Sequence, residues 1–198
     1  MSISLQKGQK ISLTKDNSSL DKIILGLGWD QVSKSGGVFF SVFTEKVNID
    51  CDATVMLLQN GKMVDKKDLV YFGNLKHYTS SVIHTGDNLT GKGEGDDEQI
   101  VVELKKIPEK YDSIVIVVNI FRAKERKQHF GMIKNAFIRL VDTKTNEEIC
   151  RYNLTDDYSG STALIFGEVY RHNGEWKFNP IGQGTIDDGM GELVARYK

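Results

Sequence analysis

The chain is poor in proline and in cysteine. Its 198 residues include only two prolines and two cysteines. With no Ser/Gly/Pro-rich stretch, nothing reads as an interdomain linker, and we predict a single domain over residues 1–198. Cys51 and Cys150 form no CxxC pair and have no zinc-finger spacing. We therefore expect two buried thiols rather than a disulfide or a zinc site.

The chain also lacks long apolar runs and an excess of either charge. Its longest apolar run, 114–118 followed by Ile120 and Phe121, is far shorter than the roughly 20 residues of a membrane-spanning helix. The first residues carry no apolar signal core. The net charge of −1 gives no overall attraction to nucleic acid or to an anionic membrane. These absences predict a cytoplasmic protein with no nucleic-acid partner and no membrane insertion.

Short β-branched or alternating runs between turn residues dominate the sequence, which is typical of all-β proteins. The ten predicted strands are 22–27, 53–58, 69–72, 81–85, 99–104, 113–121, 136–141, 148–153, 163–171 and 175–181. The 114–118 run is apolar on both faces and should therefore lie centrally in a sheet. We predict a two-sheet β-sandwich, with the acidic loops at one end.

Turns and helices are predicted by local signals. Asn173-Gly174 and Asn60-Gly61 suit tight hairpin turns, and residues 143–146 should form another. A C-terminal helix is expected within 186–197, because apolar residues recur there at helical spacing, with Asp187 or Asp188 as its cap. A shorter helical turn is expected within 122–128.

The strongest chemical signal is an acidic loop. Residues 86–98 hold five acids, one base and four glycines. Such like charge repels itself unless water screens it or a cation neutralises it. Calcium takes six to eight oxygen ligands, and glycine lets the backbone curl around an ion.

Two further acidic elements accompany this loop. One is Gly26-Leu27-Gly28-Trp29-Asp30, and the other is Asp50-Cys51-Asp52, whose two carboxylates should point to the same side of an extended chain. The spacing is not that of an EF-hand, which needs acids at positions one, three and five of its loop. Because the four histidines are scattered, zinc and copper are disfavoured, and oxygen ligands favour calcium, magnesium or manganese.

Two alternatives to a calcium-binding module remain open. The carboxylates could serve a metal-dependent hydrolase, with His84 as the one evident general base, although we favour a strand histidine bonded to the backbone. Calcium could instead bridge the loops to anionic lipid, which would need basic or aromatic neighbours, and Lys92 is the one found there. The basic run 122–129 is interpreted as a solvated helical face rather than a phosphate site.

Several longer motifs resemble one family. They are Ser4-Leu5-Gln6-Lys7-Gly8, Gly26-Leu27-Gly28-Trp29-Asp30, Asp50-Cys51-Asp52-Ala53, the blocks 84–91 and 95–98, Asn135-Ala136-Phe137-Ile138-Arg139, and the segments 163–168 and 174–178. Over nearly its whole length the chain resembles the TerD-domain proteins of tellurite-resistance and chemical-stress operons, especially the TerZ-like branch.

This resemblance implies a β-sandwich that binds two calcium ions close together at one end. By motif match the ligands would come from Asp30, Asp50, Asp52, Asp87, Asn88, Glu94, Asp96, Asp97, Glu98 and Asn135. The family has no established catalytic activity, so we predict that the protein is not an enzyme. The resemblance implies instead a scaffold that works with other stress-operon proteins, including a membrane-bound partner.

The chain departs from the family pattern inside the acidic loop. Lys92 stands where the family usually has an acid, and Glu94 stands where it usually has Asp. Lys92 could weaken one of the two sites or could point to solvent, and Glu94 has a longer reach, so that ligand is less pre-organised. Cys51 and Thr54 replace the usual Leu and Ser. The stretch 34–48 does not match the family, and no role is assigned to it.

Overall fold

The computed structural model describes residues 2–31, 49–86 and 95–198. Strands dominate this part of the chain. They are β1 (Ile3–Leu5), β2 (Ile11–Ser12), β3 (Lys22–Gln31), β4 (Cys51–Leu58), β5 (Leu69–Val70), β6 (Val82–His84), β7 (Glu98–Glu103), β8 (Ser113–Ile120), β9 (Ile133–Asp142), β10 (Glu147–Asn153), β11 (Ala163–His172) and β12 (Glu175–Thr185). The α-helices are α1 (Ala123–Arg126) and α2 (Met190–Ala195), with 3-10 turns at Lys66–Asp68, Leu104–Lys106 and Phe130–Met132.

The strands form two six-stranded sheets that pack as a sandwich. Sheet A has the order β1-β10-β9-β3-β7-β6, and sheet B has the order β2-β12-β11-β8-β4-β5. All described pairings are antiparallel except β1 with β10. The two-sheet sandwich predicted from the sequence is therefore confirmed, and all ten predicted strands are present.

Two edge strands, β1 and β2, were not predicted. Each has only two or three residues. Segments this short carry no measurable alternation, and they become strands only because a longer neighbour supplies the pairing. β1 pairs with β10, and β2 pairs with β12.

The predicted hairpin turns are confirmed by backbone angles. Asn173 and Gly174 have φ of 53° and 78°, and Asn60 and Gly61 have φ of 52° and 75°. Two consecutive residues with positive φ fit a tight hairpin turn, and Asn and Gly tolerate that region best. Asn146, with φ of 57°, closes the turn between β9 and β10.

The central strand β8 explains why the 114–118 run is apolar on both faces. Every residue of β8 is buried. Ile114, Ile116 and Val118 pack into the core between the sheets. Val115 and Val117 pack on the opposite face of sheet B, in a cluster that includes residues of α2. A strand covered on both faces has no polar side, which is what the sequence predicted.

The C-terminal helix is confirmed but its predicted cap is wrong. The N-cap residue is Gly189, with φ of 101°, and no side chain caps the helix. Asp187 instead accepts two hydrogen bonds from Arg196, at 2.7 and 3.1 Å. Both oxygens of Asp187 are thus held by the guanidinium group of Arg196 at the end of the helix, in a bidentate charge-assisted contact.

The two cysteines are buried free thiols, as predicted.

In the described ranges no helix is long and apolar enough to cross a membrane.

Candidate metal centre

Antiparallel pairing brings the predicted acidic elements to one end of the sandwich. β3 ends where β7 and β9 begin, because Leu27 lies opposite Glu98 and Gln31 opposite Ile133. In sheet B, β4 begins where β8 ends, with Cys51 opposite Ile120. These strand ends carry Asp30, Asp50, Asp52, Asp96, Asp97 and Glu98, which we call the acidic end.

Glu98 joins the two sheets at this end. Its Oε2 accepts a hydrogen bond of 2.7 Å from the backbone N–H of Ala53 in sheet B. The same oxygen lies 3.6 Å from Nε2 of His84, and both side chains are about 1% exposed. A carboxylate this deeply buried loses its hydration, so it must be compensated by donors or by positive charge.

His84 faces Glu98 rather than solvent. Its Nδ1 accepts a hydrogen bond of 3.1 Å from the backbone N–H of Gly86. In the neutral ring the proton therefore resides on Nε2, which points toward Glu98. The sequence interpretation of His84 as a strand histidine bonded to the backbone is confirmed.

Asp97 is hydrogen-bonded to the backbone of β3 in sheet A. Its Oδ2 accepts a hydrogen bond of 2.8 Å from the backbone N–H of Trp29, and its own N–H donates to the carbonyl of Leu27 at 2.7 Å. Burial raises the pKa of Asp97, the Trp29 N–H opposes this, and the charges of Asp30 and Asp96 raise it further. The raised pKa therefore reflects burial first and the two neighbouring carboxylates second.

Asp30 and Asn135 face each other across two strands. Nδ2 of Asn135 donates a hydrogen bond of 2.7 Å to Oδ2 of Asp30, and Asn135 has φ of 53°. Both residues line a cleft of about 660 Å³ that Asp97 also lines. Three of the ten predicted ligands therefore share one solvent-connected space.

Asp50 and Asp52 approach from sheet B. Asp52, only 6% exposed, lies opposite Asn119, whose Nδ2 is 3.4 Å from its Oδ2. Oδ2 of Asp50 lies 3.8 Å from Nη1 of Arg126. Neither Asn119 nor Arg126 was predicted to belong to the site, because both contacts depend on how β8 and α1 return to this end.

The thiol of Cys51 lies within the electrostatic range of several of these carboxylates. Cys51 follows Asp50 and precedes Asp52 in the chain, and it is fully buried. Burial chiefly raises the pKa of its thiol well above the usual value, and the charges of Glu98, Asp52, Asp50 and Asp97 raise it further. Because such interactions fall with distance, acids from β4 and from the start of β7 lie within range of one buried atom.

Asp96 has a different environment from the other acids. Its two oxygens accept hydrogen bonds of 2.7 and 3.1 Å from Arg139, and Gln99 donates another at 3.0 Å. The side chain is fully buried on sheet A, over Gly26, where a Cβ would collide with the carboxylate. Arg139 and Gly26 both belong to the quoted motifs, but their pairing with Asp96 was not predicted.

Three predicted ligands, Asp87, Asn88 and Glu94, lie outside the described residues, as does Lys92. Among residues 2–31, 49–86 and 95–198, no three His, Cys, Asp or Glu side chains are already grouped so that they could hold an ion. The described residues therefore supply an all-oxygen donor set around the acidic end, but not a closed coordination shell.

Comparison with known proteins places the chain in a family. Residues 1–197 match the family model described as the TerD domain. The chain is 54% identical to stress response protein SCP2 of Bacillus subtilis (strain 168), over the full length of both. It is 44% identical to tellurium resistance protein TerD of Serratia marcescens, over 100% of this chain and 97% of that protein. Identity to tellurium resistance protein TerZ of the same organism is 38%, over 98% and 97%.

A solved structure shares the architecture. A homologue of telluride resistance protein (TerD) from Streptomyces coelicolor A3(2) superimposes with a TM-score of 0.62, covering 85% of this chain and 92% of that chain. At 18% sequence identity this similarity concerns the fold alone. Motifs, whole-length family match and relatives agree, and the chain belongs to the TerD-domain family.

Proposed function

We propose that the protein is a calcium-binding interaction module of a tellurium-resistance or chemical-stress response, and that it binds two Ca²⁺ ions at the acidic end. The observation that carries the proposal is the convergence of carboxylates from β3, β4 and the start of β7, which belong to two different sheets. The pKa of Asp97 is raised there by burial and by neighbouring acids. A hard divalent cation is the partner that relieves such repulsion.

The donor set fits calcium better than a transition metal. The side chains that converge are carboxylates and one amide, and irregular cages of oxygen donors from several loops suit calcium. The ligands we propose are Asp30, Asp50, Asp52, Asp97, Glu98 and Asn135, together with Asp87, Asn88 and Glu94. Asp96 would join them only by exchanging Arg139 for the ion.

Calcium would change the surface of this end of the sandwich. Two ions add four positive charges where acids dominate, which alters both the local potential and the order of the ligand loops. We propose that this change creates or completes a surface for other stress-response proteins in the cytoplasm, including one bound to the membrane. Relatives named as stress-response and tellurium-resistance proteins support this context.

The proposal is tested by calorimetric titration with calcium and by thermal melting in calcium and in EDTA. We expect heat of binding at two sites and a higher melting temperature in calcium. At a calcium concentration one hundred times Kd, mass action stabilises the folded state by roughly 2.7 kcal/mol. Absence of both heat and melting shift at millimolar calcium would reject the proposal.

Substitutions assign the ligands. Asp52→Ala and Asp97→Ala should lower the stoichiometry or the affinity. The matched control is Asp188→Ala, since Asp188 is exposed and pairs only loosely with Lys124, at 3.7 Å. Equal losses from all three variants would contradict the ligand assignment.

The buried position of His84 argues against the hydrolase alternative. His84 is 2% exposed, and its ring is held between the Gly86 N–H and Glu98. A general base must reach the proton that it abstracts, and a buried ring in this position does not reach a substrate. We therefore expect no metal-dependent hydrolysis of p-nitrophenyl phosphate by the calcium-loaded protein.

A further inference from the structure

A basic surface borders the acidic end. It consists of Phe121, Arg122, Lys124, Arg126 and Lys127, and we call it the α1 surface. All five side chains are exposed. The surface follows directly on β8, whose last residue lies opposite Cys51. The lipid alternative required basic or aromatic residues beside the acidic loops, and the α1 surface supplies both kinds.

The backbone at both ends of α1 is left-handed. Arg122 has φ of 53° and Lys127 has φ of 52°. Among the described residues, four of the other five non-glycine residues with positive φ are Asn, which tolerates this region. Long basic side chains therefore occupy two positions where Asn or Gly would be less strained. Strain of this kind is typical of functional sites.

The fold itself makes little use of these charges. Nε of Arg122 lies 3.6 Å from the exposed carboxylate of Glu125, and Nζ of Lys124 lies 3.7 Å from Asp188. Exposed pairs at such distances contribute little to stability. In the described part of the chain Lys127 has no ion-pair partner. The side chains of Arg122, Lys124 and Lys127 thus remain available to a ligand outside the molecule.

The arrangement around Phe121 indicates the kind of ligand. The guanidinium groups of Arg122 and Arg126 lie 5.3 and 5.2 Å from the centre of the Phe121 ring, which is 37% exposed. An aromatic ring flanked by guanidinium groups combines an apolar contact with bidentate donors for phosphate oxygens. The headgroup region of an anionic membrane presents both together.

One cation of this surface is tied to the candidate metal centre. Arg126 lies 3.8 Å from Asp50, which is among the proposed calcium ligands. A cation bound to Asp50 would remove the counter-charge of Arg126. The charge of the α1 surface therefore depends on whether the Asp50 carboxylate is otherwise neutralised.

We infer that the α1 surface docks on anionic phospholipid headgroups, and that Asp50 restrains Arg126 until a cation neutralises Asp50. The first half depends only on the described residues. The second half rests on the proposed calcium site. The protein would then reach the membrane surface peripherally, without inserting a helix.

The experiment is co-sedimentation of the full chain with vesicles of phosphatidylcholine, with or without phosphatidylserine, in EDTA and in calcium. We expect binding only to vesicles that contain phosphatidylserine, and stronger binding in calcium. The double variant Arg122→Asn/Lys127→Asn should bind on the order of tenfold more weakly, since each surface cation contributes to headgroup attraction. Its melting temperature should be unchanged or higher, because Asn relieves the left-handed strain.

A matched double variant controls for loss of net charge. Lys62→Asn/Lys144→Asn removes two exposed lysines at the opposite end of the sandwich and should bind vesicles as the wild type does. Equal weakening of both double variants would overturn the assignment to α1. No binding of the wild type to phosphatidylserine vesicles in either buffer would overturn the docking surface altogether.

The link to the metal centre has its own readout. Asp50→Asn should raise vesicle binding in EDTA to the level that the wild type reaches in calcium. Unchanged binding by Asp50→Asn in EDTA would overturn the restraint on Arg126. Calcium calorimetry without lipid tests the proposed function separately. If calcium does not bind, vesicle binding in EDTA that is lost in the Arg122→Asn/Lys127→Asn variant would still support the docking surface.

Discussion

Two buried histidine–carboxylate pairs lie one hairpin apart, and they have nearly the same geometry. Nε2 of His77 lies 3.5 Å from Asp68, and Nε2 of His84 lies 3.6 Å from Glu98. In both, the histidine Nδ1 lies within 3.4 Å of the backbone N–H two residues further along the chain. All four side chains are at most 1% exposed. The difference between the pairs lies in what surrounds each carboxylate.

Asp68 is surrounded by donors. Its Oδ1 accepts a hydrogen bond of 2.5 Å from the Tyr111 hydroxyl, and its Oδ2 accepts one of 3.1 Å from the backbone N–H of Asp65. Tyr78 extends this network to the surface, where Lys110 lies over its ring. A buried carboxylate with its oxygens satisfied in this way fixes local structure and does not need an ion.

Glu98 lies instead at the acidic end. It accepts from the Ala53 N–H, but its charge acts on Cys51 together with the charges of Asp50, Asp52 and Asp97. Like charges concentrated in a low-dielectric region destabilise the fold unless a cation joins them. We therefore expect the sign of the neighbouring charges, rather than the burial of a His–carboxylate pair, to distinguish a metal site.

Asp68→Ala should have the largest effect on stability. Removal of this carboxylate leaves Tyr111, His77 and the Asp65 N–H without their buried acceptor. Breaking a buried network of this kind costs about 3–5 kcal/mol of unfolding free energy. Urea unfolding measures it, and the rise in melting temperature caused by calcium should persist. Asp21→Ala, at an exposed ion pair with Lys105, is the control and should cost less than about 0.5 kcal/mol.

Glu98→Gln should have the opposite pattern. The amide oxygen still accepts from the Ala53 N–H, while one of the repelling charges is removed. We therefore expect a melting temperature in EDTA at or above that of the wild type. The gain from calcium, roughly 2.7 kcal/mol at one hundred times Kd, should fall sharply. A variant that melts at a much lower temperature in EDTA yet keeps the full rise in melting temperature with calcium would show that Glu98 is a structural carboxylate like Asp68 and not a calcium ligand.

The sequence predicted the sandwich because its strands are long and strongly patterned. It also placed Asp30 and Asp97 at one end of the sandwich, where they line the same cleft. It did not predict that Asp96, which precedes Asp97, forms a bidentate ion pair with Arg139. Adjacent residues of an extended chain point to opposite faces, and which face meets an arginine depends on the register between β3 and β9.

The Asp68 network was also beyond prediction from the sequence. Asp68 and His77 come from the 66–81 segment and Tyr111 from the turn before β8, and no motif links them. Only the packing of these two segments brings the three side chains together. Contacts of this kind have no fixed spacing along the chain. The acidic loop was recognisable because its composition alone is unusual, whereas a single aspartate in a neutral segment is not.

Gly26→Ala tests whether Asp96 is a structural carboxylate, like Asp68, or a calcium ligand, as proposed for Glu98. A Cβ at residue 26 collides with the carboxylate of Asp96 and should displace it from Arg139. Overpacking of this kind costs about 1–3 kcal/mol, and we expect calcium binding to be unchanged. Gly191→Ala is the matched control, since nothing lies within 4 Å of a Cβ built there and the residue is helical. Loss of calcium binding in Gly26→Ala alone would place Asp96 among the ligands.

The pH dependence of stability should show the smallest effect. Burial chiefly lowers the pKa of His77, the nearby Asp68 opposes this, and Lys110 lowers it further. A histidine whose pKa is lower in the folded state stabilises fully above its unfolded pKa of about 6.5. This stability is lost as pH falls through the lowered value, by at most about 1.4 kcal/mol per pH unit for one proton. Urea unfolding between pH 7.5 and pH 5 measures the slope.

His77→Gln should reduce this slope, because glutamine places a donor near Asp68 but does not titrate in this range. Carboxylates elsewhere contribute to the slope of both proteins, so the difference between the two curves isolates His77. His172→Gln, at an exposed position, should leave the wild-type curve unchanged. The same dependence of stability on pH in both variants would contradict this prediction. It would mean that His77 is protonated as readily in the folded protein as in the unfolded chain, despite its burial beside Asp68.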